Sequence, residues 1–278
     1  MAVQEMRLAL RNMGKIDPES IDDYIAVGGY EALKKARQMD RDELISQVEN
    51  ASKLRGRGGA GFNTGFKWSG AKASKGDRKY IVCNADEGEP GTFKDRVILE
   101  NDPHTVLEGI LIAAYAVGAS NAIIYCRGEY EKQIGLLRHA VKQVQEKGLA
   151  GDVTVEVYSG AGSYVCGEET ALLNSIEGKR AEPRMKPPYP TVAGAFGKPT
   201  VVNNVETFAN VPVIVSKGAE WYSQVGAKDY PGTKIFSISG DVKRPGCYEV
   251  ATDATLNNVV IDLAGGVRDG HTLKAIQL

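Results

Sequence analysis

The chain has 278 residues, a formal net charge of −1, and hydrophobic and charged fractions of 42% and 25%. These values are ordinary for a globular protein of one large domain or two smaller ones, and they provide no global basic field that would favour nucleic acid. The longest apolar run, residues 109–117, is shorter than the roughly 20 residues of a membrane span. We therefore expect no direct membrane insertion.

The cysteines and the N-terminus indicate the compartment. Cys83, Cys126, Cys166 and Cys247 are far apart and form no C-x-x-C pair, so a locally built zinc or iron–sulfur site is not expected. The first residues contain neither the basic region nor the apolar region of a secretory signal. These features predict a cytoplasmic protein with reduced, mostly buried thiols and no metal ligands of its own.

Alternating strands and helices dominate the middle of the chain. A charged, helical arm is predicted over residues 1–40, and helical spacing continues over 42–54. Strands are predicted at 79–84, 122–126 and 153–157, and helices at 102–118, 129–147, 165–177 and 203–217. Strands separated by helices are typical of βαβ units. Residues 41–220 are therefore predicted to form an α/β domain with a Rossmann-like parallel sheet and flanking helices.

The end of the chain departs from this pattern. Residues 234–240 and 246–250 predict a β-hairpin, and residues 255–263 predict a short helix. We expect a small α+β module over residues 230–278 that ends as if incomplete.

The segment from Leu54 to Trp68 is the most unusual stretch, with five glycines within ten residues. Glycine lets a ligand approach the backbone closely, and successive free N–H groups form an anion-binding nest. Arg55, Arg57 and Lys67 add positive charge. The pattern predicts a cradle for a phosphate or a flat cofactor. A flexible surface loop and an RGG-like nucleic-acid-binding segment are the alternatives.

The same segment contains the spacing G-x-G-x-x-G at Gly56, Gly58 and Gly61. A dinucleotide-binding fingerprint requires a strand before these glycines and a helix after them. Here the preceding residues have helical spacing, and residues 62–65 are predicted to form a turn. We therefore reject the fingerprint.

Polar residues follow the first predicted strand. Asn84, Asp86 and Glu89 lie where this strand gives way to an acidic turn. Ligands of open α/β sheets bind beyond the carboxyl ends of the strands, and these side chains could hydrogen-bond ribityl hydroxyls, a ring N–H or a carboxamide. A solvated turn is the alternative, and it is the interpretation we prefer for Glu87.

Two acidic residues open the predicted helix at 165–177. The helix terminus alone favours carboxylates at Glu168 and Glu169, and a ribose diol would also bind them. The spacing leaves both explanations open.

Two further pairs are candidates. Lys186 and Tyr189 place a cation and a ring on a proline-rich backbone, where the ring could stack on adenine or simply cover the core. Asn203 and Asn204 offer two amides; one is a natural helix N-cap, and the second suggests a ligand contact.

Five blocks taken together are far more specific than any single one: residues 55–68, 84–96, 160–172, 184–189 and 197–207. In this order they resemble the flavin-bearing NADH-oxidising subunit of respiratory complex I. They equally resemble the equivalent subunit of soluble NAD-linked hydrogenases, including electron-bifurcating ones, and of NAD-dependent formate dehydrogenases. The resemblance covers about residues 20–278. It implies an FMN-binding α/β domain followed by a ubiquitin-like (β-grasp) ligand-binding module.

The resemblance implies roles for individual positions. The positions that match flavin contacts are Gly56, Arg57, Gly58, Lys67, Asn84, Asp86, Tyr164, Glu168, Asn203 and Asn204. The positions that match the NADH side are Gly59, Ala60, Phe62, Glu89, Glu169, Lys186 and Tyr189. Lys67 and Glu89 are assigned to the reaction itself, Lys67 by stabilising negative charge on the reduced flavin. The carboxylate of Glu169 is expected to disfavour NADPH, because a 2′-phosphate would meet a negative charge.

The implied activity is hydride transfer from NADH to FMN, followed by release of single electrons to an iron–sulfur cluster. The implied partners are the iron–sulfur subunits of a multi-subunit oxidoreductase: a thioredoxin-like [2Fe-2S] subunit and a cluster-carrying subunit. The family's [4Fe-4S] cysteine motif has no match in the sequence. We therefore expect that cluster in a further part of the protein or in a partner, and we expect this chain to be a fragment or a naturally split subunit.

Three positions depart from complex I. Gly70 stands where a phenylalanine commonly helps wall the nucleotide pocket, Asn63 replaces a usual proline, and Gly88 replaces a common serine. These departures favour a soluble hydrogenase or formate dehydrogenase. Two competing functions remain. One is a non-catalytic ligand-binding module without flavin, and the other is salt-sensitive nucleic-acid binding through Arg55 and Arg57.

Overall fold

The computed structural model describes residues 4–277. Its centre is a four-stranded parallel sheet with the order β3-β2-β1-β4. The strands are β1 (Tyr80–Ala85), β2 (Asn121–Cys126), β3 (Thr154–Ser159) and β4 (Thr200–Asn204). The predicted α/β class with a parallel sheet is therefore confirmed.

Helices flank this sheet. Before β1 come α1 (Ile21–Ala26), α2 (Glu31–Arg37), α3 (Arg41–Ser46) and α4 (Thr64–Ala73). After it come α5 (Lys94–Asn101), α6 (Pro103–Val117), α7 (Glu131–Glu146), α8 (Glu169–Ile176), α9 (Pro190–Ala193), α10 (Val205–Lys217) and α11 (Ala219–Ser223). A π-helical turn lies at Gln47–Ala51, and 3-10 turns lie at Tyr164–Gly167 and Ala195–Gly197.

Alternation along the strands separates two apolar layers. In β1, Ile81 and Cys83 belong to the layer that contains α6 and α10, whereas Val82 packs with Leu172 and Leu173 of α8. Helix α6 is buried along nearly its whole length. The sheet is thus covered on both faces, as is usual for parallel sheets.

Several elements differ from the sequence-based assignment, among them β4 and α4. The sequence predicts a helix from residue 203, but β4 runs to Asn204 and α10 begins at Val205. The sequence also predicts a turn where α4 begins at Thr64; the Asn63 side chain accepts a hydrogen bond from Phe66 N at 3.0 Å and caps this helix. Helical turns rather than a strand precede the glycine segment, so the dinucleotide-binding fingerprint still fails.

The N-terminal residues pack into the same apolar core as the sheet. Tyr24 and Tyr30 are at most 1% exposed. The backbone N–H groups of Ala9 and Leu10 donate to the buried carboxylate of Glu249 at 2.9 and 2.8 Å. The segment predicted to form a charged, helical arm therefore contacts both the sheet domain and the C-terminal part of the chain.

The C-terminal part holds two antiparallel ribbons. The short ribbon pairs β5 (Gly226–Ala227) with β6 (Tyr230–Pro231), and the predicted hairpin is formed by β7 (Thr233–Ile238) and β8 (Gly246–Ala251). A π-helical turn follows at Asn258–Leu263. No helix within residues 4–277 is long and apolar enough to cross a membrane.

Candidate functional site

The candidate site is framed by the carboxyl ends of β1 and β4. The two strands are in register so that Asn84 of β1 lies opposite Asn204 of β4. The glycine loop, residues 56–61, lies against the end of β4, because a Cβ added to Gly58 would be 3.0 Å from Asn204 Cβ. The polar residues expected after the strands and the glycine loop therefore meet at one edge of the sheet, where ligands of open α/β sheets bind.

The glycine loop is the tip of a hairpin. Its base is closed by hydrogen bonds from Gly56 N to Phe62 O at 2.8 Å and from Thr64 N to Leu54 O at 2.9 Å. At the tip, Gly59 has φ +118°, and nothing lies within 4 Å of the position of a Cβ there. The N–H groups of residues 58–60 find no acceptor among the described residues. These free donors fit an anionic or flat, acceptor-rich ligand.

The two arginines of the loop direct their side chains towards the segment that precedes β7. Arg57 is 2% exposed. Its guanidinium donates to Pro231 O at 2.6 Å and lies 4.6 Å from the Tyr230 ring centroid. Arg55 Nε donates to Asp229 O at 3.1 Å. Both side chains hold the segment that precedes β7, and their charge stays beside the loop, because carbonyl acceptors do not neutralise a guanidinium.

Asp86 provides the most unusual polar atom of the site. The residue is 7% exposed, and its Oδ2 atom has no hydrogen-bond partner among residues 4–277. Burial raises the pKa of Asp86 to about 6; Arg127 opposes this shift and Glu129 adds to it. A buried acceptor without a donor is costly unless a ligand supplies one. Asn84 beside it is satisfied, since its Nδ2 donates to Gly167 O at 2.8 Å.

The two asparagines of β4 have different roles. Asn203 Oδ1 accepts a hydrogen bond from Trp68 Nε1 at 3.0 Å, and no acceptor is found within the described chain for its amide N–H groups. Asn204 is fully used: it caps α10 by accepting from Glu206 N at 3.0 Å and donates to Asp95 Oδ2 at 2.6 Å. The ligand contact suggested by this pair is therefore open to the Asn203 side chain.

A buried ionic cluster supports this edge, and the sequence reasoning missed it. Lys94 Nζ lies 2.7 Å from Asp95 Oδ1 and 3.0 Å from Glu206 Oε2, and it also donates to Asn204 Oδ1 at 3.3 Å. Glu206 Oε1 accepts from Ile235 N at 3.0 Å. The cluster thus connects β4, α5 and β7 directly behind the site. The only signal in the sequence is a Lys-Asp pair beside the acidic turn.

The two glutamates at the start of α8 have different roles: Glu168 caps the helix and Glu169 pairs with lysines. Glu168 caps the helix by accepting from Thr170 N at 2.8 Å and Ala171 N at 2.9 Å. The carboxylate of Glu169 instead points to two cations, with Lys67 Nζ and Lys186 Nζ each 2.8 Å away. Burial alone would raise the pKa of Glu169, but the two lysines outweigh it and lower this pKa. Glu169 is therefore ionised and paired.

Exposed aromatic rings lie beside this ion cluster and on neighbouring segments of the chain. Phe62 is 48% exposed, lies 5.7 Å edge-to-face from Phe66, and is 6.0 Å from Lys67 Nζ. Tyr189 is 58% exposed, and Tyr164 donates its hydroxyl to Glu89 Oε2 at 2.5 Å. Exposed aromatic faces beside paired charges are suited to a ligand that carries both a ring and polar groups.

Comparisons with known proteins identify two domain families along the chain. The Nuo51 FMN-binding domain model matches residues 50–213, and the SLBB domain model matches residues 235–278. The chain is 51% identical to an NADH-quinone oxidoreductase subunit of Aquifex aeolicus, over 98% of this chain and 65% of that protein. It is 49% identical to the NADP-reducing hydrogenase subunit HndC of Solidesulfovibrio fructosivorans, over 99% of this chain and 57% of that protein. The crystal structure of an H2-reduced NAD+-reducing [NiFe]-hydrogenase superposes with a TM-score of 0.82 and 41% identity, covering 95% of this chain and 44% of that one.

The chain belongs to the Nuo51 FMN-binding domain family. The resemblance stated from the sequence is thereby confirmed. The chain spans about two thirds or less of the length of these curated relatives.

Because the Nuo51 family binds FMN, the free polar groups of the site can be compared with the polar groups of FMN. FMN carries a phosphate, ribityl hydroxyls and a ring with both acceptors and an N–H group. The free N–H groups of residues 58–60, the unpartnered Asp86 Oδ2 and the Asn203 amide can complement these groups. The residues of this Nuo51-family site therefore fit FMN.

The thiols of the chain are mostly buried. All four cysteines are free, with Cys83, Cys126 and Cys166 buried and Cys247 half-buried. Within residues 4–277, no group of three or more His, Cys, Asp or Glu side chains could hold a metal ion.

Proposed function

We propose that this chain binds FMN at the carboxyl edge of its sheet and oxidises NADH as the flavin-bearing part of a multi-subunit oxidoreductase. The observation that carries the proposal is the buried, unpartnered Asp86 Oδ2 together with the free loop N–H groups, at the carboxyl edge of the sheet in a member of the Nuo51 FMN-binding family. The names of the relatives, an NADH-quinone oxidoreductase subunit and a hydrogenase subunit, support the redox reaction.

Bound FMN would supply a two-electron hydride acceptor that can release electrons one at a time. The protein binds and positions it: the loop N–H groups face its acceptors, and Asp86 accepts from one of its donors. Lys67 is held in place by Val202 O at 3.3 Å and by Glu169 at 2.8 Å. Its ammonium group stabilises negative charge that develops beside it.

The residues on the other side of Lys67 suit NADH. Glu169 can accept from a ribose diol, and Lys186 beside it can pair with a pyrophosphate oxygen. The rings of Phe62 and Tyr189 offer exposed faces to the base and the nicotinamide. Gly70 stands where a phenylalanine is common in complex I; a Cβ there would be 3.6 Å from Thr191, in ordinary van der Waals contact, so a methyl group would fit without a clash.

The wider assembly is part of the proposal. Electrons leave for an iron–sulfur cluster carried by a further part of the protein or by a partner, with a thioredoxin-like [2Fe-2S] subunit and a cluster-carrying subunit as the expected partners. A [4Fe-4S] cluster is the expected first acceptor. We place this assembly in the cytoplasm. The relatives support an assembly, because their names describe them as subunits.

An anaerobic visible spectrum of the purified protein, recorded before and after one equivalent of NADH, tests the proposal. We expect a flavin spectrum that bleaches with NADH. A flavin that ignores NADH but bleaches with dithionite would contradict the NADH assignment, with Gly70 as the first residue to change. Absence of flavin even after reconstitution with FMN would favour the non-catalytic binding module.

Asp86→Asn is expected to stabilise the flavin-free protein above pH 6 and to weaken FMN binding. Folding raises the pKa of Asp86 from 3.8 to about 6, so the folded protein loses stability as the pH rises through this window. Asparagine carries no charge, so the free energy of unfolding should exceed that of the wild type by up to about 3 kcal/mol above pH 6, and the gap should close towards pH 3.8.

Denaturant titrations at several pH values measure this gap, and FMN titration measures the affinity. Asp152→Asn, at an exposed position, is the matched control and should show neither effect. A stability difference that does not change with pH would contradict the role assigned to the buried carboxyl.

A further inference from the structure

The glycine loop is held by residues 229–231, which lie outside the range of the FMN-binding family model. The short ribbon formed by β5 and β6 contacts this loop. Arg55 Nε donates to Asp229 O at 3.1 Å, and Arg57 donates to Pro231 O at 2.6 Å. Between these two carbonyls lies Tyr230, whose side chain is half-buried against the loop.

Tyr230 contacts both ends of the loop. Its hydroxyl donates to Gly56 O at 3.2 Å, at the start of the loop. At the end of the loop, a Cβ added to Gly61 would be 3.3 Å from the ring carbon Cε2, so only glycine fits there without a shift. The guanidinium of Arg57 lies 4.6 Å from the ring centroid, within the range of a cation–π contact.

The position of Tyr230 is itself fixed by the C-terminal hairpin. Its carbonyl accepts a hydrogen bond from the hydroxyl of Thr252, directly after β8, and the same hydroxyl accepts from Ala227 N at 3.0 Å. Thr252 N donates to Gly232 O at 3.1 Å. A continuous set of contacts therefore runs from the end of β8 through Tyr230 to the loop.

The loop needs such support because little else holds its tip. Its N–H groups at residues 58–60 find no acceptor in the described chain, and Gly59 has open space around it. Glycine-rich backbone is flexible, and donors aimed at a ligand are effective only when they are held in place.

We propose that Tyr230 is a positioning residue for the flavin-binding loop: its ring and hydroxyl hold the loop so that the N–H groups of residues 58–60 stay directed at the cofactor. This inference rests on the proposed FMN function for its consequence, but the support of the loop is a property of the protein without FMN. The C-terminal part of the chain thereby takes part in cofactor binding, although the FMN-binding family model ends at residue 213.

Two variants separate the contribution of the ring from that of the hydroxyl, and a third serves as the control. Tyr230→Phe keeps the ring and loses one hydrogen bond, so the dissociation constant for FMN should rise by about threefold. Tyr230→Ala removes the ring as well and should raise it by at least about tenfold. Tyr248→Ala is the matched control, because Tyr248 also donates to a backbone carbonyl, Arg244 O at 2.6 Å, but lies in β8 away from the loop. It should leave FMN binding unchanged.

Two measurements decide the outcome. Hydrogen exchange of peptides covering residues 55–63, in the flavin-free protein, should accelerate in Tyr230→Ala, remain near wild type in Tyr230→Phe, and be unchanged in Tyr248→Ala. FMN titration by flavin fluorescence should follow the same order. If exchange does not change in Tyr230→Ala, or if wild-type FMN affinity persists in it, the inference is overturned. If the wild type binds no FMN, the proposed function fails, and the exchange data still decide whether Tyr230 holds the loop.

Discussion

Replacing Gly58 with valine is expected to yield folded protein that retains no flavin. A Cβ at this position would lie 3.0 Å from Asn204 Cβ, which is tighter than almost all real contacts, and the two methyl groups of valine extend further. Asn204 cannot withdraw, because it caps α10 and donates to Asp95. The loop must therefore move away from the end of β4, and the free N–H groups of residues 58–60 move with it.

The flavin-to-protein ratio after purification and after reconstitution with FMN measures the effect. Gly135→Val is the control of equal size: Gly135 lies on the exposed side of α7, and nothing lies within 4 Å of its Cβ position. Valine has a slightly higher helix propensity than glycine, so the exchange should stabilise α7 by a few tenths of a kcal/mol, and flavin content should be unchanged. A Gly58→Val protein with full flavin content would refute the placement of the cofactor at this loop.

The strands β1 and β2 could be predicted because each contains a run of at least four apolar residues, 80–83 and 122–126, as is usual in a buried parallel strand. Strand β4 was not predicted, because Val201 and Val202 are its only apolar residues and Asn203 and Asn204 follow them just before α10. Helix α5 was missed for a related reason: Lys94 and Asp95 are buried in its first turn, so burial there does not follow hydrophobicity.

In the site, too, features marked by neighbouring residues could be predicted, whereas contacts between distant parts of the chain could not. The positions of the glycine loop and of Asp86 follow from sequence because glycines and strand ends mark them locally. The orientation of Arg57 does not, because its partners Tyr222 and Pro231 lie 165 and 174 residues away along the chain. The roles of Glu168 and Glu169 were undecided in the sequence for the same reason. The cap is local, whereas Lys67, which pairs with Glu169, lies 102 residues away.

Glu169→Gln is expected to shift coenzyme preference towards NADPH. In the wild type, the formal charges of Lys67, Lys186, Glu168 and Glu169 cancel, and the Glu169 carboxylate stands between the two lysines. Glutamine keeps the shape and can still hydrogen-bond a ribose hydroxyl, but it leaves one uncompensated positive charge near the ribose. A 2′-phosphate would then meet attraction instead of repulsion, and the ratio of kcat/KM for NADPH to that for NADH should rise by about tenfold.

Steady-state rates with both coenzymes at low ionic strength measure this ratio, and added salt should reduce the gain. Glu182→Gln is the control: it removes an exposed carboxylate whose partner is Arg180, 3.1 Å away, and should leave the ratio unchanged. Lys186→Gln should shift the ratio in the opposite direction, because it removes a cation from the same cluster. An unchanged ratio in Glu169→Gln would place the ribose elsewhere, since a charge removed beside a bound 2′-phosphate cannot be silent.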